Sequence, residues 1–96
     1  MYTIEDLKTI LTPIAKQYGV NRLSVFGSVA RGEATEKSDV DLLVDLPKGW
    51  GLFELGGLYC DIEEVLTCPF DLVTTGIEDR QFLSQIQQDA IVLYEQ

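Results

Sequence analysis

Asp39 and Asp41 stand one residue apart in the stretch Asp39-Val40-Asp41-Leu42-Leu43-Val44. Side chains alternate faces along a strand, so a strand here turns both carboxylates to one side and Val40, Leu42 and Val44 to the other. Two acids held together on a mostly apolar strand repel each other, and a divalent cation relieves that repulsion. Magnesium takes hard oxygen ligands, commonly one or two carboxylates together with substrate phosphates. Two such ions, roughly 3.5–4 Å apart, can hold both the attacking and the leaving oxygen of a phosphoryl displacement. The alternative is a strand end at which both acids simply meet solvent, and an isolated Asp-x-Asp does not choose between the two.

Three further positions bear on that choice. Gly27-Ser28 follows the apolar run Leu23-Ser24-Val25-Phe26. A glycine directly after a strand lets the backbone come close to a ligand. A serine opening a helical turn offers its hydroxyl and nearby N–H groups to a phosphate. Read alone, the pair is also an ordinary strand-to-helix turn with Ser28 as cap. Arg31 can offset phosphate charge or lie in an ion pair with Glu33. Asp71, in Pro69-Phe70-Asp71-Leu72-Val73, is an acid within an apolar run. If its strand neighbours the one carrying Asp41, it can complete a metal site or accept the proton of an attacking hydroxyl. Otherwise it is a solvent-facing acid. Asp45 shares the parity of Asp39 and Asp41 but precedes Pro47 and falls past the site.

The elements that must position these residues follow from spacing. Thr3 with Asp6 reads as a helix cap with an acid at its third position. Leu7, Ile10, Leu11, Ile14, Ala15 and Tyr18 then recur at helical spacing, and Gly19 is a stop. Pro13 predicts a kink, or a restart with Thr12 as cap. Strands are expected over 23–26, 40–44, 70–74 and 91–94, with a helical turn at 28–32. A third helix is marked by Leu52, Leu55, Leu58, Tyr59, Ile62, Val65 and Leu66, with Gly56 and Gly57 inside it, each costing about 1 kcal/mol against alanine. A last helix is expected over 77–88. This order predicts an α/β (α+β) domain: a short mixed sheet of three or four strands flanked by helices.

Composition sets the outer bounds. The chain has 96 residues, which suits one domain over 1–96, with 46% hydrophobic residues and a mean hydropathy of +0.08. No apolar run reaches membrane-spanning length, and acids stand at the N-terminus where a secretory signal carries bases. The expected location is the cytoplasm. A formal net charge of −9 opposes direct binding of nucleic acid, yet allows a nucleotide once cations neutralise the site. With no histidine, Ser-His-Asp triads, Cys-His dyads and histidine-containing zinc sites are excluded. Cys60 and Cys68 cannot close a tetrahedral zinc site between them, and are expected to be buried free thiols.

Gly27-Ser28, ten residues, then Asp39-Val40-Asp41 resembles the defining motif of the DNA polymerase β-like nucleotidyltransferase superfamily. The run from Phe26 to Leu46 resembles the minimal nucleotidyltransferases, and the likeness continues through 51–66 and 69–74 to 90–95. The resemblance implies a nucleotidyltransferase fold in which Asp39 and Asp41 bind two Mg²⁺ ions, Asp71 supplies a third carboxylate, and Gly27 and Ser28 hold nucleotide phosphates. It implies attack by a hydroxyl on the α-phosphate of a nucleoside triphosphate, here ATP, with pyrophosphate leaving. It also implies an antitoxin role beside a HEPN-domain toxin, neutralised by transfer of AMP to a tyrosine. A second reading makes the chain a binding module that neutralises its partner by occlusion. A third, a metal-dependent glycosyltransferase, would leave Gly27-Ser28 unexplained.

Overall fold

Thr3 opens the first helix as a reciprocal cap: its hydroxyl accepts the Asp6 N–H at 3.0 Å, and the Asp6 carboxylate accepts the Thr3 N–H at 3.0 Å. The computed structural model describes residues 2–76 and 79–96. Among them lie helices α1 (Ile4–Tyr18), α2 (Gly27–Ala30), α3 (Leu52–Val65) and α4 (Arg80–Asp89), and strands β1 (Arg22–Phe26), β2 (Val40–Asp45), β3 (Phe70–Thr74) and β4 (Ile91–Glu95). Gly19 ends α1 in the left-handed conformation and donates to the carbonyls of Ala15 and Lys16.

The strands form one mixed sheet in the order β3-β2-β1-β4. β2 and β3 are parallel, and β1 is antiparallel to both β2 and β4. Alternation then divides the side chains between two layers. Val40, Leu42 and Val44 of β2 join Leu23, Val25 and Phe70 under α1 and α3, whose Leu7, Leu11, Leu58 and Ile62 complete the main core. Leu43 points the other way and is covered by Leu83 and Ile86 of α4, with Phe26 and Val73 packed alongside. The strand parity read from the sequence therefore holds. The α4 face of the sheet is also the face onto which Asp41 and Asp71 project.

Several expectations need correction. α1 runs as one helix through Pro13, with no restart at Thr12; Pro13 is exposed, so water can serve the carbonyl left without a donor. The last helix begins at Arg80, capped by Asp79, whose carboxylate accepts the Phe82 N–H at 3.0 Å; its expected first residues lie outside the described ones. Leu52, placed on the apolar face of α3, is 86% exposed, as is its neighbour Phe53 at 92%. Cys60 is exposed and Cys68 half-buried, both free; the outer face of α3 carries Cys60 away from the core. The two glycines of α3 differ. A Cβ on Gly57 would stand 3.2 Å from the Tyr18 hydroxyl, whereas one on Gly56 would meet nothing within 4 Å. Gly57 thus admits Tyr18, which donates to Asp61 at 2.8 Å and ties α1 to α3.

Removing side chains at the two extremes of α3 should separate core from surface. Ile62 is fully buried, so Ile62→Ala is expected to cost about 2–5 kcal/mol of unfolding free energy. Phe53→Ala should change it by no more than about 0.5 kcal/mol. Urea denaturation of the two variants checks both.

Candidate active site

Parallel pairing sets Asp41 of β2 directly beside Asp71 of β3, and antiparallel pairing sets Phe26 of β1 on its other side. Main-chain geometry thus brings two acids 30 positions apart in sequence onto adjacent strands and one face. Asp39 lies one residue before β2 rather than within it and is exposed. It still belongs to the group, because its charge acts on Asp41. The Asp41 carboxyl is held above the ordinary carboxylate range by burial first, then by the negative charges of Asp71 and Asp39, and by a hydrogen bond with Asp71; the Arg31 charge opposes the rise. Asp45, at the far end of β2, instead accepts a hydrogen bond from Thr75 at 3.3 Å.

Gly27 closes the site from the side of β1. Its φ is +74°, which glycine alone adopts without strain. A Cβ there would overlap Asp41 Oδ2 and stand 3.3 Å from Asp41 Cγ. Both the backbone angle and the space exclude a side chain. α2 starts at this glycine with no side chain capping it, so its first N–H groups have no side-chain partner. Ser28, half-buried, is the second residue of that turn, a helix residue rather than its cap. Arg31 follows at the end of α2. Its Nε donates to Glu33 Oε2 at 3.2 Å and its Nη1 to Asp89 Oδ2 at 3.3 Å. Of the two readings of Arg31, the ion pair with Glu33 is present, and Asp89 of α4 is a second partner that short-range spacing did not foretell.

This arrangement suits a divalent cation in one specific respect. Burial and then the crowded carboxylates raise the proton affinity of Asp41, and a dication would relieve the repulsive part of that cost. Among the described residues no three acidic, thiol or imidazole groups are gathered closely enough to hold a metal ion by themselves. Protein oxygens would therefore fill part of a coordination shell, the rest falling to water and phosphate, as magnesium commonly accepts. A cavity of about 340 Å³ opens elsewhere, beside Tyr2, Ala34, Ser38 and Cys68, and none of the three aspartates lines it.

Residues 8–96 match the family model described as Polymerase beta, Nucleotidyltransferase. The chain belongs to the polymerase β-type nucleotidyltransferase family. It is 42% identical over 77 residues to the protein adenylyltransferase MntA of Thermococcus cleftensis, covering 76% of this chain and 78% of that one. A solved structure described as a candidate minimal nucleotidyltransferase superposes with a TM-score of 0.78 at 34% identity, covering 94% of this chain and 95% of that one. A toxin–antitoxin structure with AMP-PNP shares the fold at a TM-score of 0.78 and 16% identity, covering 93% and 73%. Among the described residues of this nucleotidyltransferase, no helix is long and apolar enough to cross a membrane.

Two glycines with nearly the same φ make a controlled comparison. Gly19, at +70°, has nothing within 4 Å of a Cβ, whereas Gly27, at +74°, meets Asp41. Gly19→Ala should cost about 1–3 kcal/mol for the backbone alone, and Gly27→Ala should cost more, by thermal or urea unfolding. Asp41→Asn should act in the opposite direction. The native state keeps Asp41 protonated to higher pH than the unfolded chain does, so stability falls as pH rises through its raised pKa. With a chelator present, Asp41→Asn is expected to raise the melting temperature at neutral pH. The gain should vanish below the ordinary carboxylate range, where both states are protonated.

Proposed function

We propose that this nucleotidyltransferase transfers AMP from ATP, with Mg²⁺, to a hydroxyl of a partner protein, and that the partner is a HEPN-domain toxin for which the chain is the antitoxin. The register pair Asp41–Asp71 beside Gly27 is the observation that carries this reading. It puts two carboxylates beside a glycine whose bare backbone leaves no room for a side chain there. The relatives described as protein adenylyltransferases support AMP as the group transferred. The shared fold of the toxin–antitoxin structures agrees with the proposed setting.

Each residue has a distinct task in this scheme. Gly27 and Ser28 cradle the phosphates against the start of α2, where N–H groups favour an anion. Asp39, Asp41 and Asp71 would hold the metal, which when bound neutralises the phosphates and the departing pyrophosphate. The acceptor oxygen attacks the α-phosphorus; the new O–P bond forms as the bond to pyrophosphate breaks. The hydroxyl proton passes to Asp71, which is exposed and has a second carboxylate oxygen to receive it. Arg31 leaves Glu33 and Asp89 for the phosphates. The cytoplasm, where ATP and magnesium are abundant, is the proposed location.

Purified protein, Mg²⁺ and ATP labelled at the α-phosphate, incubated with the HEPN partner, test the scheme. A labelled partner band is expected with the native sequence, and Asp41→Asn or Asp39→Asn should abolish it. Asp71→Asn should slow it by about 10²–10⁴-fold. Full labelling by Asp41→Asn would overturn the site. A folded, bound partner that neutralises without acquiring label would replace transfer with occlusion.

A further inference from the structure

A cleft of about 280 Å³ opens between α2 and α4, lined by Phe26, Gly27 and Arg31 on one side and by Phe82, Gln85, Ile86 and Asp89 on the other. We infer that this cleft seats the base of the nucleotide, with Phe82 as its stacking surface and Gln85 as the residue that selects adenine. The inference rests on the nucleotidyl-transfer reading above and adds to it the residues that choose the nucleotide.

Gly27 belongs to both places. A Cβ on it would overlap the Asp41 carboxylate, and the same residue lines the cleft. Phosphates lying over Gly27 and Ser28 are therefore adjacent to the cleft mouth, and the nucleoside has an opening to enter. The volume is at the low end for a small-molecule site, about 300 Å³ and upward. It suits a base with part of its sugar, not a whole nucleoside triphosphate, as expected if the phosphates lie outside over α2.

The lining has the chemistry of a base. Phe26 and Ile86 give apolar walls, and Phe82 keeps 45% of its surface exposed although α4 has a buried side available through Leu83 and Ile86. An exposed aromatic ring at a cleft is a stacking platform that any base can use. Gln85 supplies the discrimination. Its carboxamide offers one donor and one acceptor, which match the acceptor N7 and the donor N6 amine of adenine. Guanine presents two acceptors on that edge, so the Gln85 oxygen would face another oxygen or nitrogen with no proton between them. The expected preference is ATP over GTP.

Calorimetric titration of the full chain in Mg²⁺ with α,β-methylene ATP and with the matching GTP analogue tests this without turnover. The native sequence should bind the adenine analogue about tenfold or more tightly than the guanine one. Gln85→Leu should erase that ratio, and Gln85→Lys should tilt it toward guanine, since lysine donates to O6 and N7. Phe82→Ala should weaken both analogues by about tenfold. Both side chains are exposed, and matching melting temperatures would confirm that the variants fold. If the native sequence binds the adenine analogue and Gln85→Leu keeps the ratio, or Phe82→Ala leaves both affinities unchanged, the base lies elsewhere and the transfer scheme stands. If the native sequence binds neither analogue, both the seat and the transfer scheme fall.

Discussion

The like-charge pair of Asp41 and Asp71 is the constraint on which this molecule turns. Nothing local favours it. Two carboxylates directly beside each other on neighbouring strands repel, and burial together with that repulsion makes Asp41 hold its proton to higher pH. What enforces the pair is the rest of β2 and β3. Their parallel register runs from Val40 beside Phe70 to Val44 beside Thr74, and the Val40, Leu42, Val44 and Phe70 side chains are buried beneath α1 and α3. A slip of one residue would turn that apolar set to the wrong layer. Burial on one face thus fixes an unfavourable electrostatic contact on the other. A local rule broken where the surrounding structure over-determines it is the usual mark of a functional site.

The carboxylates also sit at a boundary. One step further along the same face, Leu43 and Val73 are covered by Leu83 and Ile86 of α4. Asp41 is therefore the last side chain of its row before the second apolar layer, and half-buried for that reason. Gly27 contributes from the third strand in line: β1 ends at Phe26, opposite Asp41, and the chain must turn into α2 in the space beside the carboxylate. A single glycine meets both the positive φ and the missing room. β1, β2, β3 and α4 each supply one wall, so the site is a property of the sheet's end rather than of any one segment.

Much of this was legible in the sequence because it depends on short periods. The alternation in 40–44 sets which residues face the core, and Thr3 with Asp6 and Gly19 bounds the first helix. The joint occurrence of Gly27-Ser28 and Asp39-Val40-Asp41 points to phosphate chemistry more sharply than either part. The long-range facts were not legible. Parallel pairing of β2 with β3 is what makes Asp71 a neighbour of Asp41, and spacing alone leaves that strand's partner open. Asp89 reaches Arg31 across 58 positions because α4 folds back over the sheet. Phe82 is legible as an apolar residue within the last helix, yet its spacing cannot say that the ring borders a cleft. Gly57 carries no sign of Tyr18 in its own neighbourhood. Exposure of Cys60 and Leu52 likewise depends on which side of α3 the sheet occupies.

Charge distribution joins these observations. The chain carries a formal net charge of −9 with seven basic residues, and it gathers acids at the site rather than away from it. Arg31 stands at this edge held between Glu33 and Asp89, and its charge already lowers the proton affinity of Asp41. Those two ion pairs are partly exposed, and pairs of that kind hold only weakly. A polyphosphate arriving at Gly27 would therefore meet a guanidinium that is in place, oriented and inexpensive to release. The acids that hold Arg31 while no phosphate is near also keep it from neutralising Asp41 outright. In this arrangement the negative site retains its appetite for a dication, and the one nearby positive charge remains on offer to the phosphates that the dication would accompany.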